Sequence, residues 1–174
     1  MLTDDAAEVG TWREATWRQF GAAIDMLENA MHACPPALWQ GEKKPQFWYI
    51  VFHTLFWLDL YLSDSLRKFA PPDPFTLEEL DEDSEPRKEA YTRDELQTYL
   101  DHCRAKCRAL IYALTDERAR ERCGFQWVEC TVGELLLYNM RHVQHGVGQL
   151  NLILRQETDS APHWVKRTRR QVNE

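Results

Sequence analysis

Residues 131–156 read TVGELLLYNMRHVQHGVGQLNLILRQ, and this stretch decides the fold. Thr131 followed three residues later by Glu134 predicts a capping box, in which hydroxyl and carboxylate satisfy the first free N–H groups of a helix. At about 100° per residue, Val132, Leu136, Met140, Val143, Val147, Leu150 and Leu154 share one narrow arc. Their spacing of fours and threes is the seam of a helical bundle. Beside that seam runs a second stripe: Tyr138, His142, His145 and Gln149. Arg141, Gln144, Asn151 and Arg155 lie further round and read as the wet face. Two imidazoles and an amide therefore border a core.

The rest of the chain supports an all-α reading. With 174 residues and 44% apolar content, it is long enough for one domain with a real core. Seven Trp, seven Phe and six Tyr supply bulk, and only seven Gly favours long helices over many short strands. The formal charge of −7 argues against a generic phosphate-binding surface. The closing segment WVKRTRRQVNE is locally basic and reads as a solvated end. Five Cys with no signal-like leader predict reduced thiols in a cytoplasmic protein. The longest uncharged run, residues 45–58, falls short of the roughly 18 residues that suggest a membrane span. No nucleic-acid and no membrane partner is expected.

Working outward, a first helix is expected over about residues 6–31, with Trp17, Phe20, Ile24, Leu27 and Met31 repeating at threes and fours. Cys34-Pro35-Pro36 stops it, because proline lacks a donor and restricts its predecessor. Leu38 and Trp39 are placed as a cap on one end of the bundle. Pro45 opens a second helix, expected over 46–69, that is apolar nearly all round and so buried on several sides. His53 sits in its middle among Tyr49, Phe56, Trp57 and Leu60, while Asp59 points away from it.

Residues 70–91, APPDPFTLEELDEDSEPRKEAY, break the pattern with early prolines and then an acidic cluster. A connection this long suits a crossover that leaves the second and third helices parallel. Thr76 with Glu79 could cap a single turn; the acidic run reads as a solvated connector. Thr92 with Glu95 is another capping box and opens a third helix, expected over 92–115. Its seam residues Leu96, Leu100, Cys103, Cys107, Leu110 and Leu114 make both cysteines small buried hydrophobes. A connector with a short helix after Thr115 leads into the fourth helix, 131–156. A tail over 157–174 follows, in which Pro162-His163-Trp164 is expected to fold back because an exposed Trp costs solubility.

Three histidines carry whatever chemistry there is: His53, His142 and His145. Bundles build metal sites from inward side chains on facing helices, and neutral imidazole suits Zn, Ni, Fe or Cu. Two His on one helix and one on a neighbour could form an open triad that activates water or a thiol. The same spacing also describes hydrogen-bonded core histidines, and both readings stand on spacing alone. A glycine-rich phosphate loop, a G-x-S-x-G elbow and an H-E-x-x-H motif are all missing from the sequence.

The segments FWYIVFHTLFWLDLYLS and RHVQHGVGQLNLILR, with the proline-bearing link between them and the Trp in the tail, resemble the DinB-like (DNA-damage-inducible) superfamily. The resemblance runs from about Trp12 to Trp164. It implies a four-helix bundle with a long crossover between helices two and three, and often a homodimer. It also implies a divalent metal, Zn, Ni, Fe or Mn, held by one His on helix two and two on helix four. Some relatives are thiol-dependent transferases or hydrolases that use small thiols. His53 matches the helix-two ligand and His142 the first helix-four ligand. The second would fall at Gly146, which has no donor, and His145 matches a histidine often found beside that ligand. At about 100° per residue, His145 lies roughly 60° from His142. The resemblance thus implies a metal at His53, His142 and His145, assisting thiol or water chemistry on a small molecule. Its alternative is a metal-free, non-catalytic dimeric binding or structural module that has lost a ligand at Gly146.

Overall fold

Helix α1, Trp12–Ala33, buries Trp17, Phe20, Ile24, Leu27 and Met31 along one side, as their spacing requires. This is a computed structural model that describes residues 12–42, 45–81, 87 and 89–168. The expected start of the first helix, before Trp12, lies outside the described residues. A one-turn helix α2, Pro36–Trp39, begins at the prolines that end α1. It buries Trp39, whose indole N–H donates to the Tyr91 carbonyl at 2.9 Å and ties this end of the bundle to the crossover.

The three other long helices are α3 (Phe47–Tyr61), α4 (Arg93–Ala113) and α6 (Val132–Thr158), with the short α5 (Asp116–Arg120) before the last. Thr92 and Glu95 form the full reciprocal capping box at the start of α4. Thr131 makes only half of one: its hydroxyl accepts from Glu134 N at 3.2 Å. Helix α6 ends at Asp159, which adopts a left-handed conformation with φ of 55°. Short polar side chains tolerate that region better than most.

Side-chain contacts set the directions. Leu55 meets Cys103 and Asp59 meets Lys106, so α3 and α4 run parallel. Thr54 meets Gly146 and Leu58 meets Asn139, so α3 and α6 are antiparallel. Arg104 of α4 bridges Asp25 and Glu28 of α1, while Arg13 reaches the Leu114 carbonyl, so these two are antiparallel as well. The result is the expected bundle with a long crossover from α3 to α4. No helix among the described residues is long and apolar enough to cross a membrane.

Three expectations need correction. The second helix ends at Tyr61, well short of residue 69. Beyond it Ser65 leaves the helical path to bridge Gly124 of the α5–α6 connector, and only a 3-10 turn over Leu66–Lys68 follows. The Ser65–Gly124 bridge takes the place of further helical bonds there. The tail does run back along α1, with Thr168 N donating to the Arg18 carbonyl at 2.9 Å. Yet Trp164 stays 67% exposed, because backbone bonds rather than the indole anchor this segment. On α6, Asn151 is buried rather than on the wet face, while Val143, Val147, Leu150 and Leu154 form the seam.

Candidate functional site

The wall between α3 and α6 places His53 and His142 opposite one another, with ring centroids 5.6 Å apart. His53 rises from the middle of α3 between Tyr49 and Trp57, whose ring centroids each lie 6.2 Å from its own. One turn along each neighbour is a helical repeat, so Tyr49, His53 and Trp57 share a face.

The crossover supplies a partner that the sequence did not mark. Glu79, in the 3-10 turn Glu78–Leu80, bonds His53 Nδ1 through its Oε1. The Tyr49 hydroxyl donates to both oxygens of the same carboxylate at 3.3 Å. By sequence Glu79 reads as part of a solvated acidic run, with at most a capping role beside Thr76. Instead it is largely covered, at 9% side-chain exposure, while His53 remains 42% exposed. The expected cap by Thr76 with Glu79 does not form: Leu77 is the N-cap, without a side-chain bond, and the Thr76 hydroxyl accepts only from Glu78 N at 3.5 Å. No local signal distinguishes Glu79 from Glu78; only docking of the crossover against α3 selects it.

His142 is the most perturbed histidine. Its Nε2 is buried without a hydrogen-bond partner. Burial holds its pKa down at about 4, with further depression from the charge of His53 and a smaller contribution from His145. Backbone carbonyls of Thr54 and His53 oppose this only in part. The ring is therefore neutral at physiological pH. A second buried, unpartnered polar atom lies nearby: the indole Nε1 of Trp57.

His145 does not join the pair. It is exposed on the outer side of α6, where its Nε2 accepts from the Gln149 amide at 2.8 Å. Gly146 faces α3 in its stead. A β-carbon there would meet Thr54 Oγ1 at 2.2 Å and Thr54 Cβ at 3.2 Å, so Gly146 packs directly on the Thr54 side chain, which would have to shift to admit any larger residue. Position 146 is thus filled by Thr54, and not merely short of a donor.

The residues as placed do not fit the three-histidine metal set. Two imidazoles face each other, but the third points elsewhere, and Glu79 is engaged with His53 and Tyr49. Among the described residues, no group of three or more His, Cys, Asp or Glu is arranged to hold a metal ion. What remains is a carboxylate-oriented imidazole beside a neutral one. When Nδ1–H is donated to a carboxylate, the lone pair of the neutral ring lies on Nε2, which can accept a hydrogen bond or a proton.

The other polar clusters are separate from this site. Asp59 is fully buried between α3 and α4, bound by Lys106 and by the Tyr99 hydroxyl at 3.1 Å. Cys103 and Cys107 are fully buried, and burial pushes both thiols up, as small hydrophobes in a seam should behave. Cys123 and Cys130 turn towards each other, away from the histidines.

A family model described as the DinB superfamily matches residues 14–150 of the chain. Comparisons with curated proteins and with solved structures give no match.

Proposed function

The chain belongs to the DinB superfamily, and on that footing we propose that its His53–His142–Glu79 cluster works as a metal-free binding site for a small polar molecule. The observation that carries this reading is the pair of buried, unpartnered atoms beside half-exposed His53: Trp57 Nε1 and His142 Nε2. Buried polar groups are nearly always paired, so orphans next to an accessible group mark a place for a ligand's own donor and acceptor. Trp57 Nε1–H can only donate, and His142, kept neutral by burial, can accept. His53, oriented by Glu79, adds a second acceptor at the edge reached by solvent. Metal-assisted thiol transfer or hydrolysis, implied for some relatives, is not part of this reading, because position 146 is closed by Thr54 and His145 is bonded to Gln149.

A homodimer belongs to the same proposal. Leu137 and Leu152 on α6 are each 53% exposed, and a β-carbon at Gly148 between them would meet nothing. That leaves two exposed leucines, with Arg141 between them, on the helix that carries His142. Sedimentation equilibrium reads the oligomeric state directly.

Elemental analysis of untagged protein, purified without any metal column, tests the site. The expected result is well under one equivalent of Zn, Ni, Fe or Mn, before and after incubation with each ion and desalting. One equivalent retained in the wild type and lost in His142→Ala would overturn the metal-free reading.

A further inference from the structure

The connector between α5 and α6 closes on itself as an irregular hairpin. Cys123 N donates to the Cys130 carbonyl at 3.0 Å, Val132 N donates to the Glu121 carbonyl at 2.9 Å, and Arg122 bridges Thr131 in antiparallel fashion. This pairing brings the side chains of Cys123 and Cys130 together. The Cys130 thiol lies 3.9 Å from Cys123 Sγ, in sulfur–sulfur contact. Cys123 in turn directs its S–H at the Val128 carbonyl, 3.2 Å away. Both residues are half-buried, whereas Cys34, Cys103 and Cys107 are buried.

We propose that Cys123 and Cys130 are a reversible dithiol–disulfide site that clamps this connector when oxidised. A disulfide needs sulfurs about 2.05 Å apart, so each must move by roughly 1 Å, within reach of a side-chain rotation across a paired hairpin. The oxidant is a low-molecular-weight disulfide. One protein thiolate attacks it and releases one equivalent of small thiol, leaving a mixed disulfide. The second protein thiolate then displaces the other equivalent, forming the Cys123–Cys130 bond. Two protons and two electrons pass from the protein to the small disulfide, which ends as two thiols.

The clamp has a structural consequence. Gly124, next to Cys123, is pressed against the segment that follows α3: a β-carbon there would lie 2.0 Å from the Asp64 carbonyl oxygen. Cys123 and Gly124 also line a cavity of about 180 Å³ together with Tyr61, Leu114, Arg118 and Val132. Oxidation therefore stiffens one wall of that cavity and the entry to α6. Burial and the bond to Cys123 push the Cys130 thiol up, which keeps that sulfur protonated near neutrality.

The test uses the full chain and oxidised glutathione at about pH 8.5, where more thiolate is present. Thiols are counted after acid quench and unfolding, and the products are mapped as non-reduced peptides. The expected result is a loss of two thiols from the five present, with one peptide pair joined through Cys123 and Cys130, restored by dithiothreitol. Cys123→Ser should instead accumulate glutathione on Cys130, with an unchanged far-ultraviolet spectrum. Retention of all five thiols, persistent glutathione adducts on the wild type, or linkage through Cys34, Cys103 or Cys107 would overturn the proposal. Should the serine variant fail to fold, the wild-type peptide map alone decides. Failure here leaves the histidine site untouched, since the two share no residue.

Discussion

Thr54 on α3 and Gly146 on α6 lie so close that a β-carbon on residue 146 would fall 2.2 Å from Thr54 Oγ1. Thr54 cannot easily yield, because it is fully buried and its hydroxyl donates to the Ile50 carbonyl at 2.7 Å. Gly146→Ala should therefore destabilise the protein by about 1–3 kcal/mol through overpacking, despite the better helix propensity of alanine. Thr54→Ala in the same chain should recover much of that loss. Urea denaturation of the two single variants and the double variant measures the coupling; strictly additive effects would show that the contact is not the cause.

His142 makes stability depend on pH. Its folded-state pKa of about 4 lies below the ordinary 6.5. Above pH 6.5 the ring is neutral whether the chain is folded or not, and stability is complete. As pH falls from 6.5 towards 4, the unfolded chain binds a proton that the folded one refuses, and stability is lost, by up to about 3 kcal/mol. The loss levels off once both states are protonated. Chemical denaturation at a series of pH values should show a steeper decline for the wild type than for His142→Gln. Histidine resonances followed by NMR should show one ring that stays neutral at pH 5.5.

Glu79 docks the crossover on α3 through His53 and Tyr49. Glu79→Gln keeps the shape but removes the charge, and should cost about 1 kcal/mol. The neighbouring Glu78→Gln should cost almost nothing. Limited proteolysis reads the local effect: cleavage within residues 70–91 should quicken in the Glu79 variant alone.

Asp59 and Lys106 tie α3 to α4, with Tyr99, Ser63 and, 3.4 Å from Asp59, His102 in the same cluster. Replacing the carboxylate by Asp59→Asn leaves the part-buried Lys106 ammonium without its counter-charge and should cost about 2 kcal/mol. The double change Asp59→Leu with Lys106→Met removes both charges and should cost clearly less. A larger loss in the double variant, measured by guanidinium denaturation, would assign the cluster a stabilising role beyond pairing.

Much of this molecule was legible from sequence because helices are local. The Thr92–Glu95 box, the seam from Leu96 to Cys107, and the stop at Pro35-Pro36 each depend on residues a few positions apart. So the four long helices, the long crossover and the placement of His53 and His142 on facing helices could all be read from spacing. Glu79 could not be, since its partner His53 lies 26 residues earlier and its acidic neighbours look the same.

The sequence by itself determined an all-α bundle with His142 beside its core, because periodicity and capping act along the chain. Tertiary structure alone decided where α3 ends, which acid meets His53, and that His145 turns to Gln149. It also decided that Gly146 is a point of helix contact. These outcomes depend on the distance and rotation between packed helices, which are set by the whole core at once and by no single stretch.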